Sequence, residues 1–313
     1  MQGLLNSFPN YFSLFSLVPL SIFLVKTIRN NSQLLMPNEY KTIKRIINKI
    51  SDKNDLGENP ITFTIVSGSR TSWIADSLGF VNKADTLYFT RNINPFISYK
   101  GKLKDEINEA IRQSYLLNSI EACAWPNGII GISRSSFRTN KNREDYLAFV
   151  IGHEISHILN QDSFNGSLKI DKEGKNLKKK KKILLGYEIS RESESNADIC
   201  SAKMLLNAGY PEDTAIKAHD YFARQNGYGY STNKKCTHPG YEDRRKNIFE
   251  FLDKNRKAEK PNLNAKTKGY WIFNRKENTL TYFIRNRYLP DQMKVDEAAK
   301  NLSGYFNGQI IKN

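Results

Sequence analysis

The chain has 313 residues, 39% hydrophobic and 12% aromatic, enough apolar material for a packed core and too much for wholesale disorder. Its 48 basic residues outnumber 32 acidic ones, a formal charge of +16 that suits a polyanionic partner such as lipid headgroups or nucleic acid, and equally a lysine-rich surface with no partner. Cys123, Cys200 and Cys236 are scattered and form no CxxC, which excludes a disulfide framework, a thiolate zinc ribbon and a CxxC redox motif; a single long apolar run excludes a multi-span membrane protein.

That run, Tyr11 to Val25, is interrupted by Pro19 and falls short of the ~18–20 apolar residues that span a bilayer. No basic residue precedes it and no small-x-small site follows, which argues against a cleaved signal, while Lys26 and Arg29 come directly after. Residues 1–30 are therefore expected to act as a hydrophobic anchor or interfacial segment, with a buried helix as the alternative. The expected localisation is membrane-associated, the side being open, with the remainder cytoplasmic or periplasmic.

Met36 to Ile50 reads as a helix, with Ile43, Ile46, Ile47 and Ile50 on one face, and Ile61 to Val66 alternates as a strand. Residues 68–118 carry a possible strand, Thr86 to Thr90, and a helix, Lys104 to Leu117. The Pro-Asn-Gly turn at 126–128 then leads into a strand over Ile129 to Ser133. Asp145 to Leu159 is a strongly apolar helix, and residues 161–185, with the unbroken run Lys178 to Lys182, read as a solvated loop. Glu188 to Ala208 is helical and ends at Gly209, and Pro211 to Gln225 and Tyr241 to Leu252 follow as further helices. Asn255 to Lys268 reads as a linker, Tyr270 to Ile284 as a hairpin, and Val295 to Phe306 as a last helix.

The chemistry centres on His153-Glu154-Ile155-Ser156-His157. Residues i and i+4 share a helix face, so both imidazoles can reach one ion, and Glu154 is angled to hold a water on it. Imidazole nitrogen and carboxylate oxygen suit zinc. A third protein ligand is needed, and the helix over 188–208 offers Glu194, with Asp198 one turn on to accept the N–H of a ligand imidazole. Glu192 points about a half-turn away and reads as solvated, and His219 matches no motif and reads as surface or packing. The strand Gly128 to Ser133, beginning at Gly128 and Ile129, is expected to take substrate by strand addition, with a plain core hairpin as the other reading.

HEISH, then SRESESNAD, then Thr237-His238-Pro239-Gly240-Tyr241-Glu242-Asp243-Arg244 resembles the M48 family of zinc metallopeptidases, in which HExxH, an ExxAD-type element and an HP-x₄-R element follow in this order. EACAWPNGIIGISRSSF resembles the segment before that family's active-site helix, and ICSAKMLLNAGYPEDTAI resembles the continuation after its third ligand. The resemblance covers about 40–60 and 119–252, leaving 68–118 as an insertion and the tail from about 256 without a counterpart. It implies an α+β, zincin-like fold, mostly helical with a small sheet beside the active-site helix. The domain expectation is a hydrophobic segment at 1–30, a peptidase domain at 31–255 and an accessory segment at 256–313 that either forms a small appended α+β unit or wraps the catalytic domain.

The implied activity is zinc-dependent cleavage of unfolded or membrane-associated proteins, with one Zn²⁺ per chain held by His153, His157 and Glu194 and with Glu154 as general base. His238 is implied as either the oxyanion donor or a latency ligand, and Arg244 as a further cation near the oxyanion. The partners expected are a protein or peptide substrate and an anionic membrane surface. Nucleic acid ranks last because no binding module for it is present. A non-catalytic, zinc-stabilised scaffold that docks on membranes is the alternative function.

Overall fold

The computed structural model describes residues 36–79, 93–117, 119–227, 229–256 and 269–284. The chain divides into residues 1–38, of which only 36–38 are described, and 39–313. The hydrophobic N-terminal segment, the strand at 86–90 and the helix at 295–306 all lie outside the described residues. No described helix is long and apolar enough to cross a membrane.

Helix α1 (Asn38–Ser51) buries Ile43, Ile46, Ile47 and Ile50, the face its spacing predicts. It leads to strand β1 (Ile61–Val66), five of whose six residues are buried. Strands β2 (Ala122–Ala124), β3 (Ile129–Ser133), β4 (Gly269–Asn274) and β5 (Thr279–Ile284) complete a sheet in the order β2-β3-β1-β5-β4. Only β1 and β3 run parallel, with Thr62 opposite Ile129; the other pairs are antiparallel. A mixed sheet with helices packed beside it is the α+β architecture the sequence predicts.

Two expectations are corrected. Residues 269–284 do not stand apart as an accessory segment: β5 pairs with β1, Thr62 and Thr281 share a 3.0 Å hydroxyl hydrogen bond, and Tyr40 on α1 bonds Asn278 in the hairpin turn. The basic stretch at 161–185 is not a loop. It forms helix α6 (Asp162–Glu173) and the start of α7 (Lys179–Asn207), consistent with lysine being a good helix former. Gly166 and Gly186 let these helices close up, since a Cβ at either would already touch Ile189 at 3.4 Å or Ile170 at 3.6 Å. The region at 68–118 holds helix α2 (Ser69–Ser77) and the helix expected from Lys104, α3 (Lys104–Leu116), packed through Ala75, Ile93 and Ile107. It is tied to the sheet, because Glu121 accepts the Ser69 N–H at 2.7 Å and its hydroxyl at 2.8 Å.

Helices α4 (Arg134–Thr139), α5 (Glu144–Leu159), α8 (Thr214–Asn226) and α9 (Tyr241–Arg256) complete the described elements. α5 buries every residue from Leu147 to Ser156, as an all-round apolar helix must. It lies against α7 at Gly152, where a Cβ would meet Ser201 Oγ at 2.6 Å. Ser201 donates to the Phe149 carbonyl at 2.7 Å, which locks the two helices in register. Gly209, at φ 73°, ends α7 as predicted.

Candidate metal centre

α5 and α7 together bring His153, His157 and Glu194 to one point. His153 Nε2 lies 3.1 Å from His157 Nε2 and 3.3 Å from Glu194 Oε2, and His157 Nε2 is 3.5 Å from Glu194 Oε1. A tetrahedral ion with bonds of about 2.0–2.1 Å needs ligand atoms about 3.3 Å apart. The donor set therefore fits zinc in both chemistry and spacing. Among the described residues these three form the group able to hold a metal.

Each imidazole is held from behind by a carboxylate. His153 Nδ1 donates to Asp198 Oδ1 at 2.9 Å, and His157 Nδ1 donates to Asp162 Oδ2 at 2.6 Å, which turns both Nε2 atoms toward the ion site. Asp198 is the residue the sequence singles out. Asp162 is one it misses: after α5 the chain passes through Gln161 at φ 52°, and this left-handed residue swings the first turn of α6 back onto His157. An Asp five residues beyond the second His, opening a helix, is the signal that could have found it.

Asp198 is fully buried and accepts two further bonds from Arg244, at 2.7 Å to each oxygen. Burial raises its pKa, but the Arg244 and His153 bonds overcome this and hold it well below the usual carboxylate range. This corrects the expectation that Arg244 serves the oxyanion. Its guanidinium is forked on Asp198, with Nη2 still 3.9 Å from Glu194 Oε2, so it acts on the site by fixing Asp198. Burial also pushes Glu194 up, yet His153, His238 and Arg244 bring it down to about 2, so it is ionised at neutral pH. For His153, burial lowers the pKa, but bonding to Asp198 and Glu194 sets it above the ordinary value.

Glu154 is buried beside this group and accepts the N–H of Ala124; burial raises its pKa. His238 is exposed on the chain between α8 and α9, its Nε2 3.4 Å from Glu194 Oε1, and it stands outside the three-ligand group. Thr237 shares a 2.9 Å bond with its Nδ1. Arg191 holds that segment by donating to the Lys234 and Cys236 carbonyls at 3.1 and 2.9 Å. Cys123, facing the same cavity, has its thiol pushed up to about 12 by burial and by Glu154 and Glu194, so it remains a neutral thiol.

The substrate edge is also corrected. β3 lies between β2 and β1, so Ile129 offers no free edge, and Gly128 is the turn residue, at φ 80°, whose carbonyl accepts Thr62 N–H at 2.9 Å. The edge strand beside the site is β2. Glu121 and Trp125 bond to β3 through Ser133 and Ile129, so the alternating main-chain groups of Ala122 and Ala124 point away from the sheet into a cavity of about 740 Å³. His153, Glu154, His157, Glu194 and His238 line the same cavity. Of the remaining sequence candidates, Glu192 is exposed and paired with Lys169 at 2.7 Å, and His219 is buried, stacked on Tyr241 with ring centroids 5.3 Å apart.

A mixed sheet edge lying over a buried HExxH helix, with a His-His-Glu donor set beneath it, defines a metallopeptidase arrangement. A family model described as peptidase family M48 matches residues 103–170 and supports the chain's membership of that family. The match runs from the start of α3 through α5 into α6, so α3 belongs to the family's region rather than to an insertion. No curated protein and no solved structure matches the chain.

Proposed function

We propose that the protein is a zinc-dependent endopeptidase acting on extended segments of unfolded or membrane-associated proteins. The observation that carries this reading is the coincidence, in one cavity, of a tetrahedrally spaced His-His-Glu set, a buried Glu154 and a free strand edge. A bound zinc would lower the pKa of its water and polarise the scissile carbonyl. The substrate backbone pairs with Ala122 and with the Ala124 carbonyl, which favours extended chains over folded ones. Glu154, buried beside the ion site, is placed to accept a proton from a water held there and to return it to the leaving amine. His238, exposed at the cavity mouth, donates to the developing oxyanion.

An anionic membrane surface is the second partner proposed. Residues 164–184 carry eight lysines against two acidic residues, and Leu168, Leu177, Ile183 and Leu184 among them are exposed. The hydrophobic run at 11–25 supports the same association.

Zinc content and casein cleavage, measured on wild type and Glu154→Gln, test the enzymatic reading. One zinc per chain in both with cleavage only by wild type is expected. Equal cleavage by the variant would remove Glu154 from the mechanism, and no zinc in either would remove the metal site.

A further inference from the structure

A second cavity, of about 460 Å³, meets the first at His157, sharing Ala124, His157 and Ser163 with it. Three elements distant in sequence build its walls: the turn from Trp125 to Gly128, the α5–α6 junction with Ile158 and Phe164, and strand β5 with Thr281 and Phe283. Trp125 and Phe283 are buried, whereas Phe164 stands 59% exposed at the rim. Its ring is available to cover an apolar group that enters the cavity. Apart from the shared His157, the polar side chains of its lining, Asn59 and Gln161 among them, bear no charge.

The direction of the sheet says which part of a ligand arrives there. β2 runs from Ala122 to Ala124 and its exposed main-chain groups follow that order. A peptide adding antiparallel to this edge, the commoner pairing, runs the other way, so its amino-terminal half leaves past Ala124 toward Trp125. The second cavity lies at that end, while the Ala122 end opens on Glu121 and Ser69.

We propose that this cavity is a specificity subsite that accepts a large apolar or aromatic side chain on the amino side of the scissile bond. The inference rests on the endopeptidase reading for the word scissile, but the binding preference does not depend on turnover. β5 supplies one wall, so the C-terminal hairpin contributes to substrate choice and not only to the sheet.

The test uses two peptides differing only in one residue, Phe or Ala, at the position before the intended bond. Their binding to the full-length, zinc-loaded Glu154→Gln chain is measured, together with their cleavage by wild type and the cut site by mass spectrometry. The Phe peptide is expected to bind about tenfold more tightly. Phe164→Ala, an exposed position, and Asn59→Trp, which adds bulk to an exposed residue of the lining, should each shrink that ratio toward one. Binding preference without cleavage would uphold the subsite and overturn the peptidase reading. Cleavage without preference, a ratio unchanged in both variants, or cutting on the amino side of Phe would overturn the subsite.

Discussion

The two histidines of the candidate metal centre are held by the same kind of hydrogen bond in very different surroundings. His153 leans on Asp198, which is fully buried between α5 and α7 and doubly bonded to Arg244. His157 leans on Asp162, in a helix that buries none of its residues. One carboxylate belongs to the core and the other to a hairpin that packs on it. The contrast teaches that orienting a ligand and holding up the fold are separable at His157 and inseparable at His153.

Breaking the buried side should have the largest effect. Asp198→Ala removes the carboxylate that bonds Arg244 twice inside the protein and frees the His153 ring, so we expect a loss of about 3 kcal/mol in denaturant unfolding together with the bound zinc. His219, near Arg244, gives the same region a pH signature. Burial first and Arg244 second push its pKa down to about 4, and neither ring nitrogen has a hydrogen-bond partner. An unfolded His titrates near 6.5, so between these values the unfolded chain binds more protons and stability falls as pH drops from about 6.5 to 4. That fall is worth about 3 kcal/mol in full. His219→Phe keeps the stack on Tyr241 and should flatten this part of a pH series of melting curves; an unchanged slope would show that other groups set it.

Gly152→Ala should cost about 1–3 kcal/mol, because the added methyl must push α5 off Ser201. On the part-buried side, Asp162→Asn should change stability by less than about 1 kcal/mol while weakening zinc affinity about 10–100-fold in a competition titration. An equal loss of stability in Asp162→Asn and Asp198→Ala would erase the distinction between the two histidines. The smallest effect expected belongs to the hairpin surface: Lys178, Lys180 and Lys181 replaced together by Glu should reduce co-sedimentation with phosphatidylserine vesicles and leave casein cleavage in solution unchanged.

The same contrast explains what the sequence shows and what it hides. His153, Glu154, His157, Glu194 and Asp198 are legible because helical periodicity brings i and i+4 together, and the structure keeps them together. Asp162 is hidden because an Asp in a first helical turn reads as complementing the helix dipole, and only the left-handed turn at Gln161 aims it at His157. The free edge is misread because Ala122–Ala124 is too short to show a period of two. The unbroken apolar run Ile129 to Ile132 is instead the mark of an interior strand buried on both faces. The place of the C-terminal hairpin depends on pairing Thr62 with Thr281, a contact across the whole domain that no local pattern announces.

Diffraction recorded on crystals of the zinc-loaded protein at the zinc absorption edge would test the central claim most directly. The account expects one anomalous peak about 2.0–2.2 Å from His153 Nε2, His157 Nε2 and a Glu194 oxygen, with His238 outside bonding distance. A peak elsewhere, or none in zinc-saturated crystals, would contradict it.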